Sequence, residues 1–425
     1  MQAFWHIVYN IAVIPALWIS LQIVALFSPK AKRGISGRDG LFQRLEQEQT
    51  KLVASRRIWF HSSSLGEFEQ AKPIIAALRK QYKDLDIIVT FFSPSGYEHS
   101  RSYKLANIIS YIPFDTASNA RRFLNLLRPD VAVMVRYDIW PNHLWELTRR
   151  KIPTLLANAT LQKTSSRFWF ALRNFHHYLY DQVTEILTVA EADAEAFRTF
   201  ELRQPAIRVI GDTRYDQVWQ RSIDARTKHV LPRNILKRRR VLVVGSSWEE
   251  DDAVILPAFR KTRQYDPSLL MILVPHEPTE VTLERLESAM NGTFRSIRFS
   301  ALNDYSNEEV ILVDSIGILM ALYQYADVAY VGGSFKQGIH NVLEPAAYGH
   351  PVLFGPHHDN SHEARELVRR GGGFVVVNGE DCFRQLQRLL KNKSVLSRAG
   401  AEALRLVKEN TGATQRFLTE LKRFL

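Results

Sequence analysis

The segment that decides the fold is Arg57-Ile-Trp-Phe-His-Ser-Ser-Ser-Leu-Gly-Glu67, in which an apolar run ends in a turn rich in serine and glycine. The run has the length and composition of a buried strand. An amphipathic stretch at Glu69–Tyr82 follows the turn. A strand, a short polar turn and a helix make up the first half of a βαβ unit. The segment therefore predicts a parallel sheet that presents the turn at its carboxyl edge, where such sheets bind ligands.

The same alternation continues along the chain in two successive sets. The first set has a helix at Ala117–Leu127 and further strands at Ile87–Phe92, Val131–Val135, Thr154–Leu156 and Glu185–Val189. The second set has strands at Val241–Val244, Leu269–Val274, Val310–Val313, Val328–Val331, Val352–Phe354 and Gly373–Val377. Two such sets predict an α/β chain with two Rossmann-like domains facing a cleft. We expect their limits at residues 30–212 and 213–425.

Composition narrows the class of protein. Of the 425 residues, 46% are hydrophobic, which is enough to form cores and excludes disorder as the main state. The single cysteine, Cys382, excludes a disulfide framework and a cysteine-based zinc site. The 56 basic and 44 acidic residues give a net charge of +12. That excess favours anionic partners, such as phosphates, a membrane surface or nucleic acid.

The N-terminus has the pattern of a membrane anchor. Residues 1–29 contain no Asp, Glu, Lys or Arg, and Ala3–Phe27 is long enough to cross a hydrocarbon core of ~30 Å. Basic residues follow at once, which predicts a single anchor with the following domains in the cytoplasm. No cleavage pattern follows the run, so we expect no removed signal peptide. Three residues within it, His6, Asn10 and Pro15, leave open a helix lying in one leaflet.

Three loops of the first half carry groups suited to catalysis. Glu67 lies at a helix start and would be a general base or, with Ser64, one side of a capping box. Arg136 follows a strand and would hold a carboxylate or phosphate, or pair internally with Asp138. Arg214 lies near the predicted boundary and would neutralise a leaving group or form a local ion pair.

The second half contains a glycine-rich segment at residues 332–344 that is typical of nucleotide-sugar binding. Its glycines let the backbone approach a phosphate, and we expect Asn341 and Glu344 to share a helix face, with the carboxylate accepting both ribose hydroxyls. The chain has neither the phosphate loop of ATPases nor a dinucleotide fingerprint. The polar segment from His357 to His362 is interpreted as a loop without metal.

The segment Arg167–Tyr180 is predicted to be an aromatic and basic helix. It would rest on lipid or on an acyl chain, or it would be a buried helix with a polar stripe. Although basic and aromatic residues alternate in it, the membrane anchor and the absence of another basic cluster argue against nucleic acid as a partner.

Taken together, the motifs resemble those of the 3-deoxy-D-manno-octulosonic acid (Kdo) transferases, most of all members from the Bacteroidetes. The resemblance rests on five segments in a fixed order: Ser64–Glu67, Asp138–Asn142, Gly211–Asp216, Gly332–Ser334 and His340–Glu344. It implies a GT-B glycosyltransferase of the inner membrane that moves Kdo from CMP-Kdo to the lipid A precursor (lipid IVA), with inversion and without a metal or other cofactor.

The resemblance also implies residue roles. Glu67 would be the catalytic base, and Arg214 stands where the family has a basic residue that stabilises the transition state. The donor-binding residues would be Pro275, His276, Ile316, Gly317, Ile318, Asn341, Val342, Leu343 and Glu344. The chain departs from the family pattern at Arg136, where a glutamate is usual, and at His276, where an arginine is usual.

Two other functions are compatible with the sequence. One is a GT-B enzyme that uses another nucleotide-sugar, including an epimerase-like reaction. The other is a catalytically silent module that binds nucleotide or lipid, which the departures at Arg136 and His276 would allow.

Overall fold

The computed structural model describes residues 2–336 and 338–425 and groups them into two compact units. The first comprises Met1–Gln217 and Thr411–Leu425, and the second Val218–Asn410. Met1, in the predicted anchor, and Gln337, in the glycine-rich segment, lie outside the described residues.

The first unit is built on a parallel sheet of seven strands in the order β3-β2-β1-β4-β5-β6-β7. Its strands are β1 (Arg57–Ser62), β2 (Asp86–Phe91), β3 (Ile108–Tyr111), β4 (Val131–Val135), β5 (Thr154–Ala159), β6 (Glu185–Thr188) and β7 (Ala206–Val209). Because β1 and β4 are neighbours, with His61 beside Met134, the turns that follow them emerge side by side. Both faces of the sheet are covered by apolar clusters, which explains the nearly continuous hydrophobic runs of its strands.

The helices of the first unit flank this sheet and include the N-terminal segment. In chain order they are α1 (Gln2–Val8), α2 (Ile14–Phe27), α3 (Pro29–Ser36), α4 (Leu41–Glu48), α5 (Leu65–Gln81), α6 (Pro94–Ser100), α7 (Ala117–Leu127), α8 (Pro141–Arg149), α9 (Phe170–Tyr180), α10 (Glu191–Arg198) and α11 (Thr213–Arg226), the last of which continues into the second unit.

The second unit repeats the architecture with seven parallel strands in the order β10-β11-β9-β8-β12-β13-β14. They are β8 (Arg240–Ser247), β9 (Leu269–Pro275), β10 (Ser296–Arg298), β11 (Val310–Leu312), β12 (Val328–Val331), β13 (Val352–Phe354) and β14 (Gly373–Val375). The helices are α12 (Arg233–Leu236), α13 (Glu249–Tyr265), α14 (Glu280–Met290), α15 (Leu319–Leu322), α16 (Leu343–Ala346), α17 (His362–Arg370), α18 (Gly379–Lys391) and α19 (Lys393–Glu409), and α20 (Ala413–Leu421) follows in the first unit.

The limits of the two units differ from the predicted limits 30–212 and 213–425. The chain returns to the first unit at Thr411, because Phe417, Leu418 and Leu421 of α20 are buried in the apolar cluster that α5 forms with the first sheet. Asp216 stabilises the position of the segment before α20 by accepting hydrogen bonds from the backbone N–H groups of Gly412 and Thr414. Nothing in the sequence between 213 and 425 marks α20 as a separate piece, since its amphipathic pattern fits either core.

The apolar N-terminal run forms one helix that is long enough to cross a membrane, Ala3–Phe27, with a mean hydropathy of 2.0. It consists of α1, a π-helical turn at Tyr9–Val13 and α2, joined through residues that all keep helical backbone angles. Most of its apolar side chains are exposed, but Tyr9 and Ile14 are buried against the first unit. The helix is a weak membrane-anchor candidate on length and composition alone.

Candidate functional site

In the first unit, polar side chains meet where β1 and β4 end. His61 is fully buried, and its Nε2 lies 2.7 Å from Oδ2 of Asp138. On the other side of the ring, Nδ1 lies 2.9 Å from the hydroxyl of Thr90. That hydroxyl oxygen accepts from Nε1 of Trp59 at 2.8 Å, so its proton is free to point at Nδ1. Nε1 of Trp140 also donates to Nε2 of His61 at 3.0 Å, so this nitrogen lies between an indole N–H and the Asp138 carboxylate.

These contacts fix the charge of Asp138. Burial would raise the pKa of this carboxyl, but hydrogen bonds from His61, Ser63 and Trp140 outweigh it and hold the pKa of Asp138 below its usual value. Asp138 is thus a carboxylate at neutral pH. The alternative in which Asp138 pairs with Arg136 is not found, because the carboxylate pairs with His61 and no ion pair with Arg136 exists among the described residues.

Glu67 lies in the first turn of α5 and is only 8% exposed. Its Oε2 accepts from the backbone N–H of Ser64 at 3.1 Å, the contact that a capping-box glutamate makes. Burial raises the pKa of Glu67, and the charge of Asp138 raises it further, although the N–H groups of Ser63 and Ser64 and the charge of Arg136 act against this. A buried carboxyl of raised pKa at a sheet edge is a suitable proton acceptor.

Arg136 begins the turn after β4 in the left-handed backbone region, with φ of 64°. Such angles are uncommon for a residue with a long side chain. Its backbone N–H donates to the carbonyl of Ala157 at 2.7 Å, which explains why the turn is held in place. The buried Nε has no hydrogen-bond partner among the described residues, so this guanidinium has unused donor capacity.

Arg214 stands in the first turn of α11 and pairs with Asp212. The Nε and Nη2 atoms of Arg214 lie 2.8 and 2.6 Å from Oδ2 of Asp212, which is itself buried. The predicted local ion pair is therefore present. Thr213 between them bonds to the carbonyl of Gln70 in α5, so the helix that carries Glu67 and the start of α11 are tied together.

The second unit contains a cavity of about 260 Å³ at the carboxyl ends of its strands. Its lining includes Gly317, Asn341 and Glu344 from the predicted donor-binding set, together with Arg221, Ser246 and His340. The backbones of β8 and β12 approach closely beside it. A Cβ at Gly245 would lie 2.0 Å from the hydroxyl of Tyr323, and one at Gly332 would lie 2.3 Å from the carbonyl of Ser246.

Glu344 and Asn341 meet, although not as the predicted shared helix face. The helix α16 begins only at Leu343, and Asn341 precedes it, with its Oδ1 accepting from the backbone N–H of Leu343 at 3.1 Å. The Asn341 amide donates to Oε1 of Glu344 at 3.3 Å, and Nη1 of Arg221 lies 3.9 Å from the same oxygen. A carboxylate between an amide and a guanidinium is held in a defined orientation.

The other predicted donor residues occupy different positions. The side chains of Pro275, Val342 and Leu343 are buried, Ile318 packs against an apolar cluster, and Ile316 is 86% exposed. His276 stacks between two rings, with centroids 4.5 Å from Trp248 and 4.5 Å from His340. Nε1 of Trp248 donates to Nε2 of His340 at 3.0 Å. Burial, with the neighbouring His276, lowers the pKa of His340 to about 4, so His340 is neutral at pH 7.

Sequence reasoning did not single out His61, Thr90, Arg221 or His340 as site residues. A signal for His61 is present, since it is a polar residue inside an otherwise apolar strand that is buried on both faces. Arg221 had no such signal, because its contact with Glu344 depends on how α11 packs. The described residues contain no group of three His, Cys, Asp or Glu placed to hold a metal ion. The metal-free reaction stays a prediction.

The architecture is that of GT-B glycosyltransferases and related epimerases. The structure of MurG from Acinetobacter baumannii matches with a TM-score of 0.53 and 14% identity, over 87% of this chain and 99% of that chain. UDP-GlcNAc 2-epimerase from Neisseria meningitidis matches with a TM-score of 0.54 and 12% identity, over 87% and 100%. At these identities the matches show the fold alone, and they confirm the two-domain prediction.

The sequence is similar to that of Kdo transferases. Residues 35–217 match the model of the 3-deoxy-D-manno-octulosonic-acid transferase family. A 3-deoxy-D-manno-octulosonic acid transferase from Haemophilus influenzae is 28% identical over 97% of this chain and 96% of its own length. One from Aquifex aeolicus is 28% identical over 79% and 86%. The chain is thus similar to Kdo transferases over nearly its whole length and is a glycosyltransferase. The narrower resemblance to Bacteroidetes members stays a prediction.

Proposed function

We propose that this enzyme transfers Kdo from CMP-Kdo to a hydroxyl of the lipid A precursor, with inversion, at the cytoplasmic face of the inner membrane. The observation that carries the proposal is Glu67, a buried carboxyl of raised pKa that lies beside Asp138 at the carboxyl edge of the first sheet. Similarity to Kdo transferases over 97% of the chain supports Kdo as the transferred sugar.

In the proposed reaction, the acceptor oxygen attacks the anomeric carbon of Kdo as the bond to the CMP phosphate breaks. Glu67 takes the hydroxyl proton, and the leaving CMP carries away the electron pair on its phosphate oxygen. Arg214, held in direction by Asp212, would stabilise that phosphate, and the unused donors of Arg136 would hold the Kdo carboxylate or an acceptor phosphate. Positioning and charge supply most of the rate enhancement.

The cavity of the second unit is the proposed donor site. Glu344 is oriented to accept the two ribose hydroxyls, and Gly317 in the cavity lining leaves open space, since a Cβ at this position would meet no atom within 4 Å. Exposed His276 would then take the place of the usual arginine at the donor phosphate. The net charge of +12 suits a phosphorylated lipid acceptor and an anionic membrane.

The proposal is tested by incubating the full chain with CMP-Kdo and a tetra-acyl lipid A precursor and reading the product by mass spectrometry. A product heavier by one or more Kdo residues is expected, and the mass also gives their number. Parallel incubation with a UDP-sugar addresses the alternative donor. Turnover with the UDP-sugar alone, or nucleotide binding without any turnover, would contradict the proposal.

The pH dependence of turnover follows from the raised pKa of Glu67. A base acts only when deprotonated, so kcat/KM falls as the pH drops through this pKa, and the acid limb is expected above the ordinary glutamate value of 4.5. Replacing Asp138 by asparagine removes the nearby negative charge and is expected to move the limb to lower pH. A profile measured between pH 4.5 and 8 checks both, and an acid limb unmoved in Asp138→Asn would contradict the coupling of the two carboxyls.

Donor binding gives a separate prediction for the second unit. We expect Glu344→Gln to weaken CMP binding by roughly 10- to 100-fold, because a charge-assisted hydrogen-bond acceptor of about 1.5–3 kcal/mol is lost. The matched control is Glu284→Gln, which changes an exposed glutamate on α14 outside the cavity. Isothermal titration with CMP measures both variants. Equal affinities for the two would remove Glu344 from the donor site.

A further inference from the structure

The first turns of the N-terminal apolar helix place their polar side chains against the rest of the first unit. The hydroxyl of Tyr9 donates to Oδ2 of the buried Asp115 at 2.8 Å. The side-chain amides of Asn10 and Asn142 exchange two hydrogen bonds, at 3.1 and 3.0 Å. Nε2 of His6 lies 3.0 Å from the hydroxyl of Tyr178. The start of the helix is therefore fastened to the enzyme by specific polar contacts.

The chain that follows the helix returns to the first unit at Arg38. After Phe27 the chain turns at Ser28, whose hydroxyl caps α3 by accepting from the N–H of Ala31 at 3.3 Å. Arg38 follows α3, and its guanidinium donates to the carbonyls of Phe92 and Ile112, both at 2.9 Å. α2 and α3 thus form a helical hairpin.

Both attachments lie on one short segment. Ile112, which holds Arg38, and Asp115, which holds Tyr9, are three residues apart, so they are separated by at most about 11 Å. Between Asn10 and Phe27 the helix extends about 26 Å, close to the whole thickness of a hydrocarbon core of ~30 Å. A helix that crossed the bilayer would put Tyr9 on the membrane face opposite to the domain that Arg38 contacts, whereas both residues contact the same short segment of that domain.

The exposed surface of the hairpin fits one leaflet. The helix presents Ile11, Leu17, Ile19, Leu26 and Phe27 to the surroundings, and Ile11 is 72% exposed. The returning limb carries exposed Lys30, Lys32 and Arg33. Basic side chains on one limb and apolar ones on the other match the headgroup and acyl layers of an anionic leaflet.

Spanning would also bury charge beside the first turns of the helix. A cavity of about 490 Å³ borders His6 and is lined by Arg121, Glu146 and Arg149. If residues 6–10 lay at the far side of a bilayer, these groups would enter the hydrocarbon, where charged side chains are strongly disfavoured.

We propose that residues 3–36 form a monotopic hairpin that enters only the cytoplasmic leaflet, with the apolar helix among the acyl chains and Lys30, Lys32 and Arg33 at the headgroups. This rests on the membrane attachment proposed above but not on the reaction. It favours the single-leaflet alternative over the transmembrane helix that the hydropathy pattern alone allows.

The topology is tested with a neutral epitope and a protease site placed ahead of Met1 in the full chain. We expect cleavage when protease is added to inverted membrane vesicles and protection in intact spheroplasts, with the enzyme in the membrane fraction. Cleavage from the outer face, or only after detergent is added, would contradict the hairpin. An active enzyme in the soluble fraction would instead refute the membrane attachment while leaving the transfer reaction intact.

A pair of substitutions tests the docking itself. Tyr9→Phe removes the bond to Asp115 and is expected to lower the Tm of the full chain in detergent by several degrees. Ile11→Ala changes an outward-facing residue two positions on and is expected to leave the Tm within about one degree. Equal Tm values for the two variants would show that Tyr9 is not docked and would overturn the proposal.

Discussion

Glu67→Gln is expected to lower turnover by about 10²- to 10⁴-fold while CMP binding stays unchanged. The amide cannot accept a proton from the acceptor hydroxyl, so the loss is in kcat. Glutamine at this position of a helix keeps a carbonyl oxygen for the N–H of Ser64, so the capping contact and the start of α5 survive. The change thus separates the two roles that the sequence left open for this residue.

The measurement is turnover with CMP-Kdo together with CMP affinity and Tm on the same preparation. Glu195→Gln serves as the control, because it changes an exposed glutamate that forms a surface ion pair with Lys163 at 3.4 Å. Near-normal turnover in Glu67→Gln would remove Glu67 from the role of base. If Glu67→Gln instead lowered the Tm so much that unfolding accounted for the lost turnover, Glu67 would serve only as a helix cap.

The second large effect is expected at Asp115, on stability. Its carboxylate is fully buried and accepts the Tyr9 hydroxyl at 2.8 Å, the N–H groups of Asn142 and His143 at 3.0 and 3.1 Å, and Nδ1 of His143 at 2.6 Å. Asp115 thereby caps α8 from outside and holds the N-terminal helix. Asp115→Ala leaves four donors without an acceptor and is expected to cost about 3–5 kcal/mol.

Thermal melting of the full chain in detergent measures this loss. Tyr9→Phe, which deletes one of the four donors, is expected to cost roughly 1–2 kcal/mol and provides the graded comparison. Asp224→Ala, on an exposed part of α11, is the control and is expected to leave the Tm nearly unchanged. If Asp115→Ala had the same Tm as the control Asp224→Ala, the four contacts would not contribute to the stability of the fold.

Much of the fold could be predicted because parallel strands are read from apolar runs alone. Val131–Val135, Val328–Val331 and Val352–Phe354 have the predicted limits. The strands β3 and β10 were missed, since Ile108–Tyr111 is short and Ser296–Arg298 is a polar edge strand. The segment Arg167–Tyr180 is a helix only from Phe170, after a 3-10 turn.

The site was less predictable than the sheet, because its contacts join residues that are far apart in the sequence. Glu67 was found from its place after a strand, but its neighbour His61 gained meaning only through Asp138, 77 residues away. Likewise, the sequence left open a pair of Arg136 with Asp138, and that alternative was wrong, since the buried ring of His61 lies 2.7 Å from the carboxylate. Tertiary packing decides which of several chemically similar side chains pair with each other, and this packing cannot be derived from a single sequence.

The return of α20 to the first unit has a practical consequence for dissecting the enzyme. The second unit is an insertion within the first. The two chain segments that lead into and out of it are joined by hydrogen bonds from the N–H groups of Gly412 and Thr414 to the Asp216 carboxylate. A fragment covering 218–410 therefore keeps its whole core, whereas a fragment that ends at 217 lacks Phe417, Leu418 and Leu421. Nucleotide affinity can thus be sought in an excised middle piece, but the acceptor half needs its distant last helix supplied, most simply by joining 217 to 411 through a short linker.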